Sequence, residues 1–132
     1  MRIIVCGSRG WTDRVRVFRV LDGLLPDPAD WADVQPTIVH GACSSGADKF
    51  ASDFARERHI GEHPNPADWN NEGKAAGMIR NALMASAGAD VYIAFWDGKS
   101  PGTRHMIECA TKCGIPVRIV PQAPRADRQG ER

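Results

Sequence analysis

The sequence lacks an excess of charge of either sign: 17 Lys and Arg stand against 16 Asp and Glu, a formal net charge of +1. Basic and acidic residues are interleaved, so the electrostatic footprint of a dedicated DNA or RNA binder is absent and a nucleic-acid partner is disfavoured. Nothing approaches the run of about 20 apolar residues that crosses a bilayer. The opening MRIIVCGSRG has too short an apolar stretch for a secretory signal and runs straight into an apparent strand. A cytoplasmic protein without membrane contact is expected. The four cysteines, Cys6, Cys43, Cys109 and Cys113, contain no CxxC pair, which favours reduced thiols over a disulfide framework. A zinc site would have to gather ligands from unrelated places, so neither a metal nor a cofactor is expected. No internal repeat is visible, and the glycines follow neither the GxGxxG nor the P-loop pattern, since Gly46 is followed by Ala47 and Asp48 rather than lysine. ATP hydrolysis of the P-loop kind is thereby disfavoured.

What is present fits one domain, since 132 residues suffice to bury roughly two-thirds of the unfolded surface in a single core. Short β-branched or apolar runs without polar alternation occur at Arg2–Cys6, Thr37–His40, Asp90–Trp96 and Val117–Val120, as in strands covered on both faces. A short polar run, His59–His63, reads as an edge strand. Three- and four-residue apolar spacing predicts helices over Asp13–Leu25, Ala47–Arg58, Lys74–Ala87 and Thr103–Cys113. The first is capped by Thr12 or Asp13 and halted by Pro26 and Pro28, and the third is stopped by Gly88. The segment PDPADWADVQP reads as a surface connection with Trp31 folded back onto the body. From Pro121 onward apolar content nearly vanishes, so residues 121–132 read as a disordered tail following a domain of residues 1–120.

Strands alternating with helices predict an α/β fold, a three-layer Rossmann-like, doubly wound sheet of about five parallel strands in the order 3-2-1-4-5. In that order the loops after the first, second and fourth strands converge on one crevice. All three bear glycine: Gly7-Ser8-Arg9-Gly10, Gly41 to Asp48, and DGKSPGTRHMIE from Asp97 to Glu108. A strand opening through Pro-Gly-Thr into a helix aims free N–H groups and the positive end of the helix dipole at one spot, which suits a phosphate. Gly7, Ser8 and Arg9 offer close backbone approach, a hydroxyl and a guanidinium. Gly41, Ser44, Ser45 and Gly46 offer amides and hydroxyls, and Gly102 and Thr103 complete the cradle.

Asp48 lies in a first helical turn, where the dipole favours a carboxylate, so it reads as a cap as readily as a ligand contact. Arg80 and Asn81 lie in mid-helix, where an exposed arginine is ordinarily solvated. His105 and Glu108 occupy neighbouring positions of one helix face, with His105 near enough to the helix start to reach a ligand. Trp69 and Trp96 offer rings for stacking a base, against the commoner fate of packing. Cys43, beside a helix N-terminus, has the position of a thiol of lowered pKa and thus of a nucleophile, without an identified base.

Taken in order, Gly7-Ser8-Arg9, HGACSSGADKFA (His40 to Ala51), PADW (Pro66 to Trp69), GMIRNALM (Gly77 to Met84) and SPGTRHMIE (Ser100 to Glu108) resemble the SLOG superfamily. This is the Rossmann-like fold of the DprA and LOG (Lonely Guy) proteins, and the resemblance is closest to its small YspA-related branch. It implies a pocket for a nucleotide or nucleotide-derived ligand, often in a homodimer, acting as a sensor or sequestering module that works alone or through an effector protein. Arg80, Asn81 and Met84 resemble one LOG motif, and Pro101, Gly102 and Thr103 the start of another, Pro-Gly-Gly-x-Gly-Thr-x-Glu-Glu. Where that motif carries paired glutamates this chain has His105 and Met106. The alternative reading, a LOG-like phosphoribohydrolase cleaving the N-glycosidic bond of a nucleoside 5-monophosphate, needs a carboxylate near the sugar. Glu108, Asp48 or Asp97 must then substitute, with Glu108 and Asp48 the catalytic candidates. A DprA-like nucleic-acid role ranks below both.

Overall fold

In the computed structural model, which describes residues 1–123, Arg2–Gly7 forms the central strand β1. It is flanked by β2 (Thr37–His40) and β4 (Val91–Trp96), with β3 (Gly61–Pro64) and β5 (Val117–Pro121) at the edges. All four pairings are parallel, in the expected order β3-β2-β1-β4-β5. Pro121 thus closes β5, and residues 124–132 of the expected tail lie outside the described residues.

Alternation along β1 sends Ile3 and Val5 to one face and Ile4 and Cys6 to the other. The first face is covered by α1 (Arg14–Leu24) and α3 (Gly46–Glu57), through Val17, Phe18, Leu21, Ala51 and Phe54. The second is covered by α5 (Ala76–Ser86) and α6 (Pro101–Lys112), through Met84, Ala85, Met106 and Ala110. Each large side chain buried in these layers contributes about 1.5–3 kcal/mol, which explains the unbroken apolar strands. Asp13 caps α1 by accepting the Arg16 N–H at 3.0 Å. Gly88, in the left-handed region at φ 82°, follows α5 as expected.

The surface connection after α1 contains one helical turn, α2 (Trp31–Val34), and a second such turn, α4 (Trp69–Glu72), precedes α5. Four residues are too few to display a period, so pattern reading passes over them. Trp31 does fold back, its Nε1 donating to the Pro26 carbonyl at 2.9 Å.

The close approach of β1 to β4 requires glycine at the end of β1. A Cβ on Gly7 would stand 2.3 Å from the Phe95 carbonyl oxygen and 2.8 Å from the Ala47 Cβ. Gly7→Ala is expected to destabilise the fold by about 2 kcal/mol, read as a lower urea midpoint at unchanged slope.

Candidate functional site

The strands β1, β2 and β4 end together, and their following loops enclose two adjoining cavities of about 410 and 440 Å3. The first lies at the switch point between β1 and β4, where open α/β sheets receive ligands. Gly7, Ser8 and Arg9 wall it on one side, Gly102 and Thr103 on another, with Asp48, Arg80 and Asn81 between them. The second is walled by Gly41, Ser44 and Ser45, by Trp69, and again by Arg9 and Arg80.

The loops are tied to one another by buried polar groups. Ser8, 2% exposed, accepts the Asp97 N–H on its Oγ at 3.0 Å, and the Ser100 hydroxyl donates to it at 3.1 Å. Asp48, 3% exposed, does not cap its helix: Oδ2 accepts the Gly41 N–H at 2.8 Å and Oδ1 the Gly7 N–H at 3.3 Å. One carboxylate therefore staples the end of β1 to the loop after β2. Burial raises its pKa, and the Gly41 amide only partly opposes that.

A second tie starts at His40, buried at the end of β2. Its Nδ1 accepts the Ala42 N–H at 2.9 Å, which leaves the ring proton on Nε2 to face Glu62 Oε2 at 2.7 Å. Ala42 is held in the left-handed region at φ 59°, a conformation that needs such a constraint.

Arg80 projects from α5 into the ridge between the cavities. Its Nη1 donates to the Gly41 carbonyl at 2.5 Å and to the Asn65 carbonyl at 3.3 Å, and its Nε donates to Asn81 Oδ1 at 2.9 Å. These acceptors are neutral, and among the described residues no carboxylate forms an ion pair with it. The guanidinium is thus oriented by neutral acceptors, with Asp48 near enough to feel its charge but not paired with it. A Cβ on Gly41 would stand 2.4 Å from Nη1, so glycine lets the loop lie flat against the guanidinium without displacing it. Asn81, 4% exposed, donates from Nδ2 to the Gly102 carbonyl and to His105 Nδ1, both at 3.2 Å, and so couples Arg80 to α6.

At the start of α6, Ser100 holds the N-cap position without capping through its side chain; its hydroxyl goes to Ser8 and Asp97 instead. The Gly102 and Thr103 amides have no acceptor among the described residues and stand at the first cavity. They are orphan donors at the positive end of a twelve-residue helix, beside two arginines.

Several sequence candidates lie elsewhere. Glu108 is exposed and walls neither cavity: Thr103, Met106 and Ala110 define the inward face of α6, and Glu108 points away from it. His105 walls neither cavity and meets Asn81 through its Nδ1 at 3.2 Å. Gly46 opens α3 against the Ser8 carbonyl, outside both cavities. Asp97 is consumed by its own turn, where the Ser100 N–H, with that of Lys99, holds its carboxyl below the usual range. Trp96 donates to the Ser100 carbonyl and faces Arg104 rather than a cavity. Cys43 walls both cavities, but burial pushes its thiol up, the reverse of the nucleophile expectation.

Sequence reasoning passed over Cys6, Ser100 and Met106 as walls of the first cavity. Met106 carried a signal, since it stands where LOG-like enzymes place a glutamate. Tyr92 gave none: its hydroxyl is fully buried without a partner among the described residues, and burial pushes its pKa well up.

Residues 1–71 match the YAcAr family, described as the YspA, cpYpsA-related SLOG family. The chain belongs to this family. The match spans the loops after β1 and β2 as far as α4. The chain is also similar to the Gene 61 protein of Mycobacterium phage D29, 41% identical over 121 residues that cover 88% of this chain and 93% of that protein. Membership of a SLOG family agrees with the expected branch and suggests a nucleotide-related small-molecule ligand. No described helix is long and apolar enough to cross a membrane.

Proposed function

We propose that this SLOG protein binds a nucleotide or nucleotide-derived ligand at the carboxyl edge of its sheet, as a sensor or sequestering module that does not cleave it. The phosphate sits in the first cavity, against the Gly102 and Thr103 amides, with Arg80 and Arg9 neutralising it. The observation that carries this reading is the Arg80 guanidinium, hydrogen-bonded only to neutral acceptors among the described residues, in a cavity that also holds orphan helix amides. That combination is costly without an anion and favourable with one.

Binding is preferred to hydrolysis because the position expected to supply a carboxylate carries Met106, 1% exposed, in the cavity wall. Among the described residues the one carboxylate walling either cavity is Asp48, and both its oxygens are engaged by backbone amides. A LOG-like phosphoribohydrolase would have to act through Asp48. The test is thermal melting with AMP, GMP, CMP and UMP, followed by chromatography for free base. Saturable stabilisation by at least one nucleotide with no base released is the expected outcome, whereas base release proportional to enzyme selects the hydrolase.

A homodimer is supported by the apolar side chains that α5 turns outward, Met78 at 57% and Leu83 at 64% exposed. The four free cysteines support a reducing, cytoplasmic setting.

A further inference from the structure

Three of the four tryptophans are fixed through their indole N–H. Trp11 donates to the Asp13 carbonyl at 3.1 Å, Trp31 to Pro26 at 2.9 Å and Trp96 to Ser100 at 3.1 Å. Trp69 is different. Its Nε1 has no acceptor among the described residues, it is 51% exposed, and it walls the second cavity.

The fold nevertheless holds this ring in place. Asp68 caps α4, its Oδ1 accepting the Asn71 N–H at 3.2 Å and its Oδ2 the Asn71 side-chain amide at 2.8 Å. The far edge of the ring rests on Gly77, where a Cβ would come within 3.4 Å of Cη2. A large indole anchored at its edge and left open beside a polar cavity is arranged to receive a flat partner.

The two cavities share Arg9, Cys43 and Arg80. A ligand whose phosphate lies in the first is therefore one arginine ridge away from Trp69. Ser44 and Ser45 wall the same cavity, and Ser45 at the N-cap of α3 makes no side-chain capping bond that would occupy its hydroxyl.

We infer that Trp69 is the stacking platform for the aromatic base of the ligand, with the second cavity as the base subsite and the Arg9–Arg80 ridge separating it from the phosphate. The inference rests on the proposed phosphate site. The ligand class is an aromatic base joined through a sugar to phosphate. Stacking accepts any base, so discrimination among bases falls to the serine hydroxyls.

Ribose 5-phosphate carries the phosphate and sugar without a base, which separates the two subsites. Its affinity is compared with those of AMP, GMP, CMP and UMP by thermal melting of wild type, Trp69→Phe and Trp69→Ala. In wild type at least one nucleotide is expected to bind about tenfold more tightly than ribose 5-phosphate. Trp69→Ala erases that advantage and leaves ribose 5-phosphate unchanged. Trp69→Phe keeps the advantage within about threefold but loses the tryptophan quenching that the nucleotide causes in wild type. If the advantage survives in Trp69→Ala, or if quenching is equal in wild type and Trp69→Phe, Trp69 is not the platform. The second comparison decides the matter even if Trp69→Ala fails to fold. Ribose 5-phosphate that binds as well as every nucleotide overturns the base subsite while the phosphate site stands; no binding of any probe overturns both.

Discussion

Arg80→Ala is expected to lower the affinity for the best-bound nucleoside monophosphate by about 100-fold, since a charge-assisted bond to phosphate contributes roughly 1.5–3 kcal/mol. The loss has two sources. The guanidinium supplies the charge, and its bonds to the Gly41 and Asn65 carbonyls align the loops that form the second cavity. Arg80→Lys keeps the charge and gives up the planar fork, because an ammonium cannot serve Gly41, Asn65, Asn81 and a ligand together. Its affinity should fall nearly as far, and the salt dependence of binding should separate the two variants: the lysine variant retains the slope with ionic strength, and in the alanine variant, left with Arg9 alone, the slope is shallower. Arg19→Ala, on α1 away from both cavities, serves as the control for net charge. Equal binding by wild type and Arg80→Ala in titration calorimetry rules out the phosphate site as described.

The sheet was legible because its strands are apolar on both faces, and Ile3 to Cys6 and Tyr92 to Phe95 can occupy only the interior of a three-layer fold. The order of strands then determined which loops share an edge, and Gly7, Gly41 and Gly102 do converge on the cavities. Arg80 could not be found by composition, because a helical arginine is ordinarily solvated; only the motif around it marked it. What remained illegible depended on where hydroxyls and carboxylates turn. Ser100 and Asp48 both occupy positions where capping is the ordinary expectation, and each instead bonds to a different loop. Those choices are tertiary, made by segments tens of residues apart, and no local pattern encodes them. Glu108 is the opposite case. Thr103, Met106 and Ala110 follow the inward stripe of α6, and the 100° per residue of a helix already places Glu108 off it.

Asp48→Ala is expected to cost about 3 kcal/mol of stability, a fall of roughly 10 °C in melting temperature, since it strands the Gly41 and Gly7 amides without acceptors. Asp48→Asn should cost less, because one amide oxygen still serves one of the two N–H groups. The carboxylate also gives stability a pH dependence of definite sign. Burial raises its folded-state pKa above the unfolded value, so the folded state holds the proton more tightly. Its stabilisation is complete below the ordinary carboxylate range, near pH 4, and declines as pH climbs through the raised folded value. The difference in unfolding free energy between wild type and Asp48→Ala should therefore be largest in acid and narrow toward neutral pH; a difference that widens with pH contradicts the raised value. The same pair of variants bears on catalysis. If Asp48 only ties the loops, Asp48→Asn reduces nucleotide affinity and stability together and no variant releases base. If it acts on the sugar, wild type releases base and Asp48→Asn binds the nucleotide intact, which makes the staple between β1 and β2 the reacting group as well.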